Sequence, residues 1–436
     1  MTATLRVAIV GAGPAGFFLA EKLLGQTERP VAVDLYERLP VPYGLVRFGV
    51  APDHEKIKAV TRSFDKVAAR PGFRFFGNVD VGRDISVDQL RRDYDAVAFT
   101  TGAQSDRRMG IPGEDLVNSH AATEFVAWFN GHPDFRDRHF NLDAENVAVV
   151  GVGNVAVDVA RILSRSPEEL AQTDIADHAL EALRHSKVKN VYLLGRRGPA
   201  QAAFTTPEVK ELGEMDLADA VALPDEVALD PLSAAQVAAD ADASLNRKIE
   251  VLTQFAERTP SGKPKRLTLR FLVSPTELIA DGHGRVAAIR LAKNRLIEKN
   301  GSLAAAPTGE FETIPVGLVF RSVGYKGTPI EGLPFDEKTG TVPNESGRVA
   351  PGLYVAGWIK RGPSGVIGTN KPDAAATAEA ILADCPEPSA ERRVPSAEID
   401  WASWQRINAA ETKLGQASNR PRVKFTTIEA MLNAAR

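Results

Sequence analysis

The chain has 436 residues, 44% of them hydrophobic and 25% charged, with a formal net charge of −3. That length suits two or three domains with their own cores, and the near balance of charge, without a P-loop or a long run of lysine or arginine, points away from nucleic acid. No apolar stretch approaches the roughly 20 residues of a membrane span, and a single cysteine, Cys385, excludes both a redox-active cysteine pair and a cluster held by the chain's own thiolates.

The sequence enters its first strand directly after Met1-Thr-Ala-Thr, with no signal or transit peptide, which predicts a cytoplasmic protein without membrane insertion. Residues 5–10 are β-branched and apolar, as a buried parallel strand requires. The turn Gly11-Ala-Gly-Pro-Ala-Gly16 follows and opens a helix over about residues 15–24. Glycine at Gly11 and Gly13 lets the backbone turn and approach a pyrophosphate, and Pro14 and Ala15 begin a helix whose amino terminus faces negative charge. A second strand at residues 31–36 ends at Glu37. An acid there accepts hydrogen bonds from a ribose diol and repels a 2′-phosphate, so this turn suits the adenosine half of FAD rather than NADP.

Residues 39–54 form an apolar loop, rich in Gly and Pro, that carries Arg47, Asp53 and His54. Loops are normally polar, so an apolar one has something to cover, and a flavin is a good candidate. A helix over 55–69 is predicted next, then a strand over 73–81 and another over 94–103 that ends in Thr-Gly. Residues 104–145 cross to a second domain through the loop at 110–114 and a helix that includes Phe125 and Trp128.

The pattern then repeats. Val149-Val-Gly-Val-Gly-Asn-Val-Ala156 is a strand and glycine turn with alanine in place of the third glycine, followed by a helix to about Ser164 and a long insertion. The next strand, 188–194, ends at Gly195-Arg-Arg-Gly198. Alone, Arg196 and Arg197 would read as exposed loop residues. After the strand that follows a glycine turn, two guanidiniums select the 2′-phosphate of NADP. Two turns of opposite preference imply two dinucleotides in one protein.

A helix is predicted from about residue 201, with Pro207 and Glu208 in its first turn. Residues 221–248 read as a mobile helical surface element. Residues 247–270 carry Arg247, Lys248, Arg258, Lys263, Lys265, Arg266 and Arg270 against two acids, a candidate basic docking patch alongside Lys210. Strands at 267–273, 286–292 and 316–320 complete this domain. Residues 349–370 hold a strand ending at Gly357, then Trp358 as a ring that could stack on a cofactor, then a helix beginning near Gly365. A proline-rich linker after Cys385 leads to helices at 400–413 and 426–434, to which no chemistry is assigned.

These segments resemble adrenodoxin reductase and the bacterial ferredoxin–NADP reductases related to it. The matching stretches are Gly11-Ala-Gly-Pro-Ala-Gly-Phe17, Tyr43-Gly-Leu-Val-Arg-Phe-Gly-Val-Ala-Pro-Asp-His54, Gly153-Asn-Val-Ala-Val-Asp-Val-Ala-Arg-Ile-Leu163, Gly195-Arg-Arg-Gly-Pro199 and Gly357-Trp-Ile-Lys-Arg-Gly-Pro-Ser-Gly-Val-Ile367. Ala200 and Pro207 depart mildly from the family's bulkier residues. The resemblance implies an α/β protein of two Rossmann-like dinucleotide-binding domains, for FAD and NADP, in the glutathione reductase-like architecture. The FAD domain would span 1–105 and 325–436, with a carboxy-terminal helical tail, and the NADP domain 106–324.

It implies FAD at Ala15, Glu37, Leu45, Val81, Trp358, Gly365, Val366 and Ile367, and NADP at Arg107, Val152, Gly153, Asn154, Val155, Arg196, Arg197, Glu208 and Gly365. It also implies that His54 and Glu211 form a catalytic pair beside flavin and nicotinamide. No metal is expected. The implied activity is electron transfer from NADPH through FAD to a ferredoxin, an acidic iron–sulfur protein, by a monomer. The alternatives are the reductase part of an amidotransferase such as glutamate synthase, and a flavoprotein that binds both nucleotides without catalysis.

Overall fold

The structure is a computed structural model that describes residues 4–385 and 397–436. The chain divides into two compact units, one of residues 1–107, 130–136 and 324–436, the other of 108–129 and 137–323.

The first unit is built on a six-stranded sheet ordered Arg348–Ala350, Leu353–Val355, Ala96–Phe99, Leu5–Val10, Val31–Tyr36, Phe73–Phe76. All neighbours are parallel except the first two, which are antiparallel. The apolar runs seen in the sequence are what a sheet covered on both faces requires. One face packs Phe17, Leu19 and Leu23 of helix Pro14–Gly25 with Ala374, Ala378 and Ile381 of helix Asn370–Asp384. The other packs Val87, Leu90 and Tyr94 against Val97 and Phe99. The order reverses between Leu5–Val10 and Ala96–Phe99. At such a reversal, successive connections leave on opposite faces and a crevice opens at the carboxyl ends of the strands.

The second unit repeats the plan with an all-parallel sheet ordered Ser119–Ala121, Leu318–Arg321, Asn146–Val150, Asn190–Leu194, Lys265–Arg270, Ala218–Ala222. Its reversal lies between Asn146–Val150 and Leu318–Arg321. A three-stranded antiparallel sheet, Val273–Ala280, Val286–Lys299 and Ser302–Pro315, packs Ile289 and Leu291 against Val150 and Val319. Among the described residues no helix is long and apolar enough to cross a membrane.

Several elements differ from the sequence-based reading. The helix expected over 55–69 is two, Glu55–Lys58 and Thr61–Ala68. The Thr61 hydroxyl takes the Lys58 carbonyl at 2.9 Å, and Val60 N–H reaches back only three residues, to Ile57. The strand expected to run to residue 81 stops at Phe76, before Asn78 at φ +60°. Part of the supposed mobile surface over 221–248 begins as an edge strand, Ala218–Ala222, whose small residues carry little strand signal; helices Pro231–Asp240 and Ala243–Glu257 follow. The helix expected from Gly365 begins at Asn370, preceded by a 3-10 turn at Ile367–Thr369. The two tail helices are present as Trp401–Ala417 and Ile428–Ala435. The proline-rich linker before them lies outside the described residues.

Candidate functional site

Each unit carries a glycine turn at the reversal of its sheet, and the two turns are built alike. Gly11 N–H donates to Tyr36 at 2.8 Å, and Gly151 N–H to Leu194 at 2.9 Å. Gly11 has φ +109° and a Cβ there would lie 2.8 Å from the Thr100 carbonyl oxygen; Gly151 has φ +131° and its Cβ would lie 2.2 Å from that of Ser322. Both positions are closed to any side chain. Gly13 and Gly153 differ: both are in extended conformation, and an added Cβ would meet no protein atom within 4 Å. The space they leave is on the open side of the turn.

Gly13 and Gly153 are also the N-caps of helices Pro14–Gly25 and Asn154–Ser164. Neither helix has a side-chain cap or an acid in its first turn. Two helix amino termini thus present backbone N–H groups with no anionic side chain of their own, which fits a pyrophosphate at each. Gly16 explains the third glycine of the first motif, since its Cβ would lie 2.2 Å from Gly11 O. The second motif accommodates the fully buried Ala156 there.

The covering loops repeat the likeness. The carbonyl between the two glycines anchors each of them. Ala12 O accepts Tyr43 N–H at 2.8 Å, while Val152 O accepts Ala203 and Phe204 N–H, both at 2.9 Å. Asn154 Oδ1 adds a bond from Thr205 N–H at 2.9 Å.

The units part company after the second strand. Glu37 follows Tyr36, and its carboxylate accepts Ala12 N–H at 3.0 Å and Leu39 N–H at 3.2 Å. Burial pushes its pKa up, and those two N–H bonds work against the shift. Where Glu37 stands, the second unit has Gly195, whose Cβ would come within 2.9 Å of Val152 Cγ1. Arg196 is exposed and Arg197 half-buried. Among the described residues neither has a carboxylate within ion-pair distance. Burial, then the charge of Arg196, lowers the pKa of Arg197. Two unneutralised guanidiniums side by side gain from an anion.

The remaining predicted residues fall as follows. Gly44 sits on the first turn, 3.1 Å from Gly13 Cα to its would-be Cβ, and Leu45 after it is 44% exposed. Val81 is buried in the core below Tyr36 and Phe76. Trp358 is half-buried, stacked on Tyr325 at 6.3 Å between centroids, with Nε1 donating to Ser364 O at 3.2 Å. Gly365 has φ +78°, Val366 is 54% exposed and Ile367 is half-buried. Large exposed apolar side chains such as Leu45 and Val366 fit an apolar ring that covers them.

Arg107 clusters with the first unit, its guanidinium on Thr339 O at 2.8 Å. His54 is buried where the apolar loop enters helix Glu55–Lys58, and Glu211 ends helix Thr206–Glu211. The buried Glu208 binds Arg161, which is fully buried and also bonded to Asp158 at 2.7 Å.

The chain matches the pyridine nucleotide-disulphide oxidoreductase family model over residues 5–195. It is 46% identical to the NADPH-ferredoxin reductase FprA of Mycobacterium tuberculosis over 98% of each chain. It is 40% identical to the mitochondrial NADPH:adrenodoxin oxidoreductase of Homo sapiens, over 98% of this chain and 91% of that one. The protein belongs to the adrenodoxin reductase family. A solved structure of Mycobacterium tuberculosis FprA in complex with NADPH superposes with a TM-score of 0.94 at 44% identity, over 99% of both chains.

Within this adrenodoxin reductase-type fold, Gly357, which the sequence marks only as a strand end and the start of a matching stretch, has a packing role. Its φ is +77° and a Cβ would lie 2.6 Å from that of Ala15, so glycine is what lets the Trp358 segment close on the first helix. The signal was present in the motif but is shared with every loop glycine. The basic run needs correction. Lys248 is buried with Nζ on Ala202 O at 2.6 Å, Lys263 Nζ donates to Met215 O at 2.5 Å, and Lys265 Nζ to Leu163 O at 2.8 Å. Arg270 is buried between Glu226 and Glu312. These four brace the second unit, and only Arg247, Arg258 and Arg266 of the run are exposed.

Proposed function

We propose that the protein is a ferredoxin–NADP+ reductase, an NADPH-dependent flavoenzyme that passes electrons from NADPH through FAD to a ferredoxin. One observation carries the reading: two glycine cradles of the same build end in opposite charge, Glu37 in one and Arg196 with Arg197 in the other. A carboxylate accepts from a ribose diol and repels phosphate, whereas paired guanidiniums grip a 2′-phosphate. We therefore assign FAD to the unit of residues 1–107, 130–136 and 324–436 and NADP to the unit of 108–129 and 137–323.

In the first, Gly11, Gly13, Pro14 and Ala15 would hold the pyrophosphate, Glu37 the ribose and Val81 the adenine side. Leu45, Trp358, Gly365, Val366 and Ile367 would border the ring. In the second, Val152, Gly153, Asn154 and Val155 would hold the pyrophosphate and the arginines the 2′-phosphate, with Arg107 and Glu208 as further contacts. When bound, FAD supplies the conversion of a hydride's two electrons into single-electron steps. The chain's residues bind, orient and exclude water; we assign His54 and Glu211 to holding the nicotinamide and setting the charge around it.

We keep to a monomeric, cytoplasmic protein as the proposal; among the described residues no helix is long and apolar enough to cross a membrane. An acidic ferredoxin would meet the cations left exposed: Lys210, Arg247, Arg258 and Arg266. Anaerobic mixing with NADPH tests the reading. The yellow flavin colour should bleach, and cytochrome c reduction should then depend on added ferredoxin. A purified protein without flavin, or one whose colour NADPH leaves unchanged, refutes it.

A further inference from the structure

The loop over the first glycine turn cannot hold its own shape. Its helix, Leu45–Phe48, is a single turn, and isolated helices of that length are unstable in water. Tyr43 and Gly44 before it are both left-handed, at φ +86° and +47°. Leu45 faces outward, whereas Arg47, two residues on, is 5% exposed. Its guanidinium makes a bidentate pair with Glu411 of helix Trp401–Ala417, Nη1 to Oε2 at 2.9 Å. The Glu411 side chain is wholly buried and accepts two more bonds, from Arg422 Nη1 at 3.2 Å and Phe425 N–H at 2.8 Å. Lys424 Nζ donates to the Arg47 carbonyl at 3.3 Å. Trp404 Nε1 donates to the Tyr43 hydroxyl at 3.3 Å, which in turn donates to Asp65. Thus the carboxy-terminal segment holds the loop at two points on either side of Gly44: at Tyr43, whose N–H bonds Ala12 O, and at Arg47.

We propose that this carboxy-terminal segment is a working part of the FAD site and that Glu411 is a positioning residue, fixing the covering loop on the glycine turn through Arg47. A buried ion pair is weak evidence of stability, since desolvation consumes most of its attraction, but the bidentate geometry between Arg47 and Glu411 fixes orientation. The inference rests on the assignment of FAD to this unit.

The test uses the holoenzyme. Wild type, Glu411→Gln and Trp404→Phe are diluted at one temperature below melting. FAD release is read as rising flavin fluorescence and unfolding separately by far-ultraviolet circular dichroism. Glutamine keeps the side-chain size and loses the charge. Phenylalanine keeps an aromatic ring and loses the bond to Tyr43, and serves where the first variant does not fold. FAD should leave the folded variants at least about tenfold faster, and adding Arg47→Gln to Glu411→Gln should accelerate release little further, because paired residues are not additive. Release at the wild-type rate, or release only in step with unfolding, overturns the proposal. A wild type that holds no FAD overturns the cofactor assignment instead.

Discussion

Replacing Arg196 and Arg197 together by alanine should convert the enzyme from strong to weak preference for NADPH. A charge-assisted hydrogen bond contributes about 1.5–3 kcal/mol when solvent is excluded. Arg196 is exposed, which puts it at or below the low end. Arg197 is half-buried and sits beside a like charge, so a phosphate there relieves repulsion as well as forming bonds. The pair together should be worth about 2–4 kcal/mol, or roughly 30- to 1000-fold in the Michaelis constant for NADPH. Little of that should come from misfolding, because among the described residues the two guanidiniums make one hydrogen bond, Arg197 Nη2 to Gln201 O, which is long at 3.4 Å. NADH lacks the 2′-phosphate, so its constant should hardly move. The assay is steady-state reduction of ferricyanide, which bypasses the protein partner, with each coenzyme varied in turn. Equal weakening of NADPH and NADH would show that the arginines shape the loop rather than read the phosphate.

Gly151→Ala should prevent the second unit from folding properly, since its Cβ would stand 2.2 Å from Ser322 O, whereas Gly153→Ala meets no protein atom and should leave the melting temperature nearly unchanged while weakening NADPH; similar melting curves for both would refute this. Replacing His54 or Glu211 by alanine should slow the bleaching of flavin by NADPH in stopped flow more than it weakens NADP+ binding, and unchanged bleaching rates would leave both residues structural. Burial depresses the His132 pKa from 6.5 to about 4, so the folded form resists a proton that the unfolded chain accepts. The stability this gives is complete above pH 6.5 and is lost as the pH falls from 6.5 to about 4; His132→Asn, which keeps an acceptor for Asp134 N–H, should flatten denaturation midpoints across that window. Ferredoxin-dependent cytochrome c reduction should decline with salt while ferricyanide reduction does not, but gently, because Arg247 and Lys210 each sit beside an acid, Glu250 and Glu214; a salt slope unaltered by reversing Arg247, Arg258 and Arg266 would place docking elsewhere.

What could be read from the sequence follows from how local each requirement is. Gly11 and Gly151 are demanded first by their positive backbone angles, a local requirement that the motif itself carries, and only then by the carbonyls of Thr100 and Ser322 at the ends of the neighbouring strands. Glu37 stands one residue beyond a strand end, Arg196 and Arg197 two and three beyond another, and position alone exposes their chemistry. The interruption after Lys58 was less accessible, because it depends on a single threonine hydroxyl choosing a carbonyl. The basic run misled for a different reason. Composition counts Lys248, Lys263, Lys265 and Arg270 as charge, but each has found a partner far along the chain, and a buried or half-buried cation already bonded to a carbonyl or to two acids has little to offer an acidic protein. The tail shows the same limit in reverse. Its helices were evident from pattern, yet it had no motif and so no assigned role. Glu411 acquires one only through Arg47, 364 positions earlier. A carboxylate on an amphipathic helix reads as a solvated charge until the fold shows it buried against the guanidinium of a distant loop. The residues that touch a cofactor can therefore announce themselves in sequence, while those that hold the touching residues in place become visible only when distant segments are brought together.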